Sequence, residues 1–94
     1  MKDRKKRIQK LIREKIGEFL LVEEIVPQEL LVSITRVDIT GDLRSAKIYV
    51  TSLNRSDECL GELKKNAGQI KSYLGKELNF HYTPELSFFI EKND

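Results

Sequence analysis

The chain has 94 residues, of which 39% are hydrophobic; this fills one core and leaves nothing for a second, so we expect a single domain over residues 1–94. Cys59 is the only cysteine, which excludes an internal disulfide and a cysteine-rich zinc site. No apolar run approaches the roughly 20 residues needed to cross a bilayer, and the first residues are charged, so we expect a cytoplasmic protein without a membrane partner.

The net charge of +2 hides an uneven distribution along the chain. Residues 1–15 contain eight basic and two acidic residues, a net charge of +6, so the remaining residues carry −4. A basic segment on a mildly acidic body attracts polyanions to one end of a protein. This segment is therefore the first candidate for a contact with nucleic acid.

The first predicted element is an amphipathic helix over about residues 4–21, because apolar residues recur there at steps of three and four. Its apolar stripe consists of Ile8, Leu11, Ile12, Ile16, Phe19 and Leu20. The opposite face carries Lys6, Lys10 and Arg13 on successive turns. Pro27 ends any continuation of the helix.

Residues 31–40 and 46–50 predict an antiparallel hairpin that turns at Gly41 and Asp42, because β-branched and aliphatic residues dominate both segments. The apolar phase changes within the first strand. Since one extra residue restores the inward face, we expect a β-bulge near Thr35 and Arg36.

Two further helical segments and a strand complete the chain. We expect Ser56 to cap a helix whose first turn contains Asp57 and Glu58. Apolar residues keep one helical phase over residues 60–78, but Gly68 and Gly75 interrupt it, so one kinked helix or two nearly continuous helices fit equally. The last strand carries Leu86, Phe88 and Ile90 on one face, and Pro84 favours an edge position or a strand start.

The element order predicts a two-layer α+β domain, a three-stranded sheet with helices packed on one face. Four segments then resemble the ribosome-binding factor A family in the same order: residues 4–8 (RKKRI), 32–37 (VSITRV), 42–51 (DLRSAKIYVT) and 84–89 (PELSFF). The resemblance implies a type II K-homology-like fold with the order αββααβ. It also implies a cytoplasmic factor that binds the immature small (30S) ribosomal subunit and assists ribosomal RNA maturation.

In this family a kink between two helices, with the signature alanine-any-glycine, an apolar residue and arginine, replaces the K-homology glycine loop. Residues 66–71 correspond to it: Gly68 and Ile70 match, Lys71 preserves the charge, and Asn66 stands in place of alanine. His81 occupies a position where the family often has arginine.

The predicted RNA-binding residues are the basic groups of the first helix, three cations of the hairpin and the residues of the kink: Arg4, Lys5, Lys6, Arg7, Lys10, Arg13, Arg36, Arg44, Lys47, Lys64, Lys65, Asn66, Ala67, Gly68 and Lys71. A solvated helix face, solvent-facing strand charges and a plain helix-breaking turn are the structural alternatives. Base stacking on Tyr49, Tyr73 or Tyr82 is a weaker expectation than packing with a wet hydroxyl.

The charge pattern predicts a polyanion-binding protein without cofactor or metal, and the family resemblance implies that it is a monomeric, non-catalytic ribosome assembly factor. The main alternative is a protein-interaction module that contacts ribosomal proteins or another assembly factor. A hydrolase or nuclease is a distant third, since only His81 and Cys59 are available as reactive groups beyond the carboxylates, and Cys59 is expected in the core.

Overall fold

The computed structural model describes residues 2–26, 32–53 and 55–91, without the side chains of Lys2 and Asp3. Helix α1 (Lys2–Val22) is followed by strands β1 (Ser33–Ile39) and β2 (Ser45–Thr51), helices α2 (Ser56–Lys65) and α3 (Ala67–Leu78), and strand β3 (Glu85–Ile90). The predicted order αββααβ is confirmed. Pro27 and Leu31 lie outside the described residues.

The three strands form one sheet in the order β1-β2-β3, in which β1 and β2 are antiparallel and β2 and β3 are parallel. The pairing advances from Ile34 opposite Val50 to Arg36 opposite Tyr49, so Thr35 is the extra residue of a bulge. The predicted bulge is confirmed. β3 begins directly after Pro84, at an edge of the sheet, which confirms both expectations for that proline.

One face of the sheet is covered by all three helices. Its buried strand residues are Val37, Ile39, Ala46, Ile48, Val50 and Phe88. The helices contribute Ile12, Ile16, Phe19, Cys59, Leu63, Ile70 and Leu74 to the same core. α1 packs over β1, α2 over β3, and α3 lies beside α1 and β3. The opposite face of the sheet is not covered by any of these helices, which is the two-layer arrangement expected from the sequence.

Two local predictions were wrong. Ser56 is not the cap of α2 but its first residue; Arg55 occupies the cap position with a left-handed φ of 52° and makes no side-chain capping bond. Arg55 instead pairs with Glu58 in the first turn of the helix, at 3.6 Å. Leu11 does not belong to the buried stripe of α1, because it is 37% exposed.

The helix break lies at Asn66, which separates α2 from α3 as two helices.

Candidate nucleic-acid interface

The first half of α1 presents an uncompensated basic surface. Its buried side is anchored in the core by Ile12 and Ile16, which are 0% exposed, so the charged side chains turn outward. The exposed cations are Arg4, Lys5, Lys6, Arg7, Lys10 and Arg13. None of these six forms an ion pair with an acidic residue in the part of the chain that the structure describes. We call this set the α1 basic surface.

The α1 basic surface is held along the outer edge of β1. The side-chain oxygen Oε1 of Gln9 accepts a hydrogen bond of 3.0 Å from the backbone N–H of Ile39, a donor on an edge strand. A shallow groove of about 270 Å³ runs between helix and strand, lined by Lys6, Gln9, Lys10, Arg13, Arg36 and Val37. Three cations of the helix therefore face the same groove from one side, which suits a row of phosphates.

Arg36 faces the groove but is already engaged by acidic residues. Its Nε donates to Oε1 of Glu91 at 2.9 Å, and its guanidinium also pairs with Asp38. The hydrogen bond to Glu91 raises the pKa of Arg36 above its ordinary value. The same guanidinium lies 3.9 Å from the centre of the Tyr49 ring. A phosphate at this point must compete with two carboxylates, so Arg36 is a weaker candidate than its neighbours on α1.

The kink between α2 and α3 is built around Asn66. Its side-chain Nδ2 and its backbone N–H both donate to the carbonyl of Glu62, at 2.8 and 3.1 Å, and its own carbonyl accepts from the N–H of Ile70 at 3.0 Å. The asparagine side chain thus adds a second hydrogen bond to a carbonyl at the end of α2, which an alanine at this position cannot supply. The departure from the expected alanine has a structural reason in this chain.

The turn beside Asn66 leaves room for a ligand. Gly68 is exposed, and a Cβ placed there meets nothing within 4 Å, so neither packing nor backbone conformation requires a glycine. Lys64 and Lys65 are exposed in the last turn of α2. Lys64 and Ala67 line a groove of about 380 Å³ with residues 86–89 of β3. Lys71, in contrast, pairs with Glu85, so its charge is compensated within the fold.

The α1 basic surface and the kink lie at opposite ends of the helical layer. Nζ of Lys15 is 3.4 Å from Oε1 of Glu77, and the hydroxyl of Tyr73 donates to Glu18 at 2.6 Å, which shows that α1 and α3 run antiparallel. The start of α1 therefore lies beside the end of α3. α3 has 12 residues, which corresponds to about 18 Å between the kink and that end. The predicted residues form two separate surfaces rather than one.

The hairpin cations are also divided between surfaces. Lys47 is exposed on the uncovered face of the sheet, opposite Asp38 in the pairing with β1. Arg44 follows the turn between the strands, where Oδ1 of Asp42 accepts from the Arg44 N–H at 3.1 Å and from the Thr40 hydroxyl at 2.6 Å. The hydrogen bond from Thr40 lowers the pKa of Asp42. Arg44 therefore lies near Tyr82, away from the sheet face that carries Lys47.

Tyr82 does not show the packing that is expected from the sequence. Its ring is 55% exposed, and the guanidinium carbon of Arg44 lies 5.7 Å from the ring centre. Tyr73 does show the expected packing with a hydrogen-bonded hydroxyl, and Tyr49 stacks on Phe89 with ring centres 5.4 Å apart. Tyr82 stands in an irregular connection, where no periodicity in the sequence distinguishes an exposed aromatic ring from a buried one.

The reactive groups Cys59 and His81 do not form an active-site arrangement with other side chains in the described residues. Cys59 is buried in α2, as expected for a core residue, and burial raises the pKa of its thiol. His81 is exposed in the connection from α3 to β3. Within residues 2–26, 32–53 and 55–91, no three His, Cys, Asp or Glu side chains are grouped to hold a metal ion. Across the same residues, no helix is both long and apolar enough to traverse a bilayer.

Comparison with known proteins now places the chain. The sequence model of the family described as "Ribosome-binding factor A" matches residues 4–94, nearly the whole length. The chain belongs to the ribosome-binding factor A family. The ribosome-binding factor A of Bdellovibrio bacteriovorus is 36% identical over 88 residues, which are 90% of this chain and 66% of that protein.

Solved structures of the family support the same fold. The crystal structure of ribosome-binding factor A from Thermus thermophilus superposes with a TM-score of 0.84 at 17% identity, covering 92% of this chain and 94% of that one. A homology model of the Thermus thermophilus factor, fitted into a cryo-electron microscopy map of its complex with the 30S subunit, superposes with a TM-score of 0.75 at 15% identity. It covers 85% of this chain and 87% of that one. The type II K-homology-like fold is therefore confirmed.

Proposed function

We propose that this protein is a non-catalytic assembly factor that binds the immature 30S ribosomal subunit in the cytoplasm and assists maturation of its RNA. Membership of the ribosome-binding factor A family supports the ribosomal context, and a Thermus thermophilus factor of the same fold has been placed in a complex with the 30S subunit. The observation that carries the proposal is the α1 basic surface, six exposed cations without an acidic partner in the described chain.

Phosphate binding follows from the arrangement of those cations. RNA is a dense polyanion, and each cation that neutralises a phosphate releases a condensed counterion, which favours binding at low salt. Lys6, Lys10 and Arg13 face one groove, and the helix that carries them is fixed by its buried side and by Gln9. The cations therefore meet the RNA without first having to order their backbone.

The kink supplies a second, smaller contact. The first backbone N–H groups of α3 and the exposed lysines 64 and 65 surround an unobstructed Gly68, which suits a single phosphate at a helix start. The two surfaces are separated by at least the length of α3, about 18 Å, and would touch separate parts of one folded RNA. A factor that contacts two parts of an RNA stabilises the arrangement in which both are presented at that distance.

Such a mechanism needs no catalysis. A bound protein shifts an RNA conformational equilibrium by its difference in affinity for the two forms, so binding free energy alone favours the maturation-competent form. The burial of Cys59 supports a non-enzymatic role, because a thiol without access to solvent is a poor nucleophile.

The test is cosedimentation with purified 30S subunits over a series of salt concentrations. The variant Lys6→Glu/Lys10→Glu/Arg13→Glu should bind more weakly than wild type, and the slope of log affinity against log salt should fall by about 2–3 units, since each phosphate contact contributes about 0.7–0.9. Lys76→Glu removes an exposed lysine of α3 outside the proposed surfaces and serves as the charge-reversal control. Its slope should equal that of wild type.

Absence of cosedimentation by the wild-type protein at low salt would refute the assignment. An unchanged slope in the triple variant would move the RNA contact away from α1. Nuclease treatment separates the proposal from a purely protein-protein contact with ribosomal proteins or another assembly factor, because a protein contact survives removal of the RNA.

A further inference from the structure

A groove of about 550 Å³ lies between the start of α1, the turn from β1 to β2 and the connection from α3 to β3. Its walls include Arg4, Ile8, Leu11, Arg44, Phe80 and Tyr82. We propose that this groove binds one unpaired nucleotide of an RNA chain, with the base against Tyr82 and the phosphate beside Arg4 and Arg44. The inference rests on the proposed function, and it specifies the form of RNA that meets this end of the protein.

The aromatic wall has a free face. Tyr73 packs on Phe19 and donates its hydroxyl to Glu18, and Tyr49 is covered by Phe89 and Arg36. Tyr82 is 55% exposed, and its contact with Arg44, at 5.7 Å, lies near the limit of about 6 Å for a cation–π interaction. A base can therefore stack on the Tyr82 ring without first displacing a packed side chain.

The floor of the groove is apolar. Leu11 is 37% exposed although it lies on α1 among core residues, and Ile8 and Phe80 are half-buried beside it. Exposed apolar surface of this kind, next to an aromatic ring, fits the flat face of a nucleobase, whose polar edges remain toward water. Covering Leu11 and Tyr82 together removes apolar area from solvent, which adds to the stacking contribution.

The charges around the groove favour a phosphate. Arg4 and Arg44 form no ion pair with any acid in the described chain. The one carboxylate in the lining, Asp42, is held by the Thr40 hydroxyl and the Arg44 backbone N–H, and it also interacts electrostatically with Arg44, so the charge of Arg44 is partly compensated. A phosphate beside Arg4 and Arg44 meets two guanidinium groups against one carboxylate, and guanidinium matches phosphate with two parallel hydrogen bonds.

The bound nucleotide must be unpaired and part of a chain. Interior bases of a duplex are covered on both faces by their neighbours, so an internal base pair cannot place a base on Tyr82. Arg4 belongs both to this groove and to the α1 basic surface, which continues through Lys6, Lys10 and Arg13. Further phosphates of the same strand are therefore bound beyond the groove, which a free nucleotide cannot use.

The experiment measures binding of a short labelled single-stranded RNA of mixed sequence by fluorescence anisotropy, with a long duplex, in which interior base pairs greatly outnumber the two ends, for comparison. Tyr82→Ala should weaken binding of the single strand by roughly 5- to 100-fold, the range found when one base loses an aromatic stacking partner. Tyr82→Phe keeps the ring and should bind as wild type does. Duplex binding, which depends on phosphates alone, should be the same in all three proteins.

A second readout observes the ring directly. The chain contains no tryptophan and three tyrosines, so Tyr49→Phe/Tyr73→Phe leaves Tyr82 as the sole source of tyrosine fluorescence. The single strand should quench this fluorescence and the duplex should not, because a base stacked on the phenol ring quenches it. Both replacements keep an aromatic ring in place, and far-ultraviolet circular dichroism verifies the fold of the variant.

Each outcome decides between the two claims. Single-strand binding by Tyr82→Ala that equals wild type, or a wild-type protein that ignores the single strand, overturns the groove assignment while cosedimentation with 30S subunits still tests the proposed function. Displacement of the labelled RNA by AMP at equal nucleotide concentration overturns the assignment to a chain and gives the groove to a free nucleotide. Weaker single-strand binding by Tyr82→Ala, together with cosedimentation of the wild-type protein with 30S subunits, supports both.

Discussion

The start of α1 and the kink between α2 and α3 are both rich in cations, but the fold uses these cations differently. The six cations of the α1 basic surface have no acidic partner within the described residues. At the kink, Lys71 is paired with Glu85, and the amide of Asn66 is bonded to the end of α2. A cation is fully available to a phosphate only where no acidic side chain of the same protein already pairs with it. We therefore expect α1 to contribute more than the kink to RNA binding.

The largest effect that distinguishes the two regions is on the salt dependence of binding to 30S subunits. Lys64→Glu/Lys65→Glu should reduce the magnitude of the slope of log affinity against log salt by at most about 1.8 units. The upper limit is two phosphate contacts at about 0.9 each. This is less than the change expected for the triple variant on α1. Cosedimentation over the same salt series measures both.

The comparison fails if the kink variant loses more of the slope than the α1 variant. That result would mean that the kink carries the main phosphate contacts and that the α1 basic surface is a solvated helix face. Lys71→Gln/Glu85→Gln supplies an internal control at the kink, because it removes both members of an ion pair without changing the net charge and should change the slope least.

Features that depend on neighbours in the chain could be predicted from the sequence. Apolar residues at steps of three and four located the buried side of α1, and the change of phase in the first strand located the bulge at Thr35. The cap of α2 was assigned incorrectly because a serine before two acids is a common start signal. The chain instead takes a left-handed residue at Arg55 and begins the helix one position earlier than that signal implied.

Features that depend on distant residues could not be predicted. Arg36 and Glu91 are 55 positions apart, and Lys71 and Glu85 are 14 apart, so only the folded sheet and helices bring their charges together. The same holds for the groove at Tyr82, which combines the first helix, the hairpin turn and a late connection. Charge content predicted a polyanion partner, but tertiary structure decides which charges remain for it.

The two ends of α3 can be compared with one substitution. Gly68→Ala at the kink should raise the free energy of unfolding by about 0.5–1 kcal/mol, because the site is helical and a Cβ there meets nothing within 4 Å. Gly75→Ala near the other end should destabilise by up to about 2 kcal/mol, because its Cβ would lie 2.6 Å from Oγ1 of Thr83 and the overpacking cost exceeds the same gain in helix propensity. Urea denaturation measures both changes.

The clash at Gly75 can be tested by removing its partner. In Gly75→Ala/Thr83→Ala the oxygen is absent, so the double variant should recover stability relative to Gly75→Ala alone. Additive losses would show that the helix does not tolerate a side chain there for another reason. If Gly68→Ala gains stability but binds 30S subunits more weakly, the exposed glycine serves RNA contact rather than the fold.

The smallest effect concerns the bond that joins α1 to α3 between the two regions. The hydroxyl of Tyr73 donates to Glu18 at 2.6 Å; this bond raises the pKa of Tyr73 to about 12 and lowers the pKa of Glu18. For Tyr73 the raised pKa stabilises the fold below pH 10, its ordinary pKa, and that contribution disappears as the pH rises through about 12. For Glu18 the contribution is present above its ordinary pKa of 4.5 and is lost as the pH falls through the lower folded value.

Tyr73→Phe should therefore be slightly less stable than wild type between about pH 5 and pH 10, and the difference should vanish toward acid and toward pH 12. An alkaline titration of tyrosinate absorbance should also lose its component near pH 12 in this variant. A stability difference that persists unchanged at pH 12 would assign the loss to a cause other than this hydrogen bond, since Tyr73→Phe keeps the ring that packs on Phe19. Because Glu18 and Tyr73 lie between the α1 basic surface and the kink, this bond helps to fix the distance between the two proposed RNA contacts.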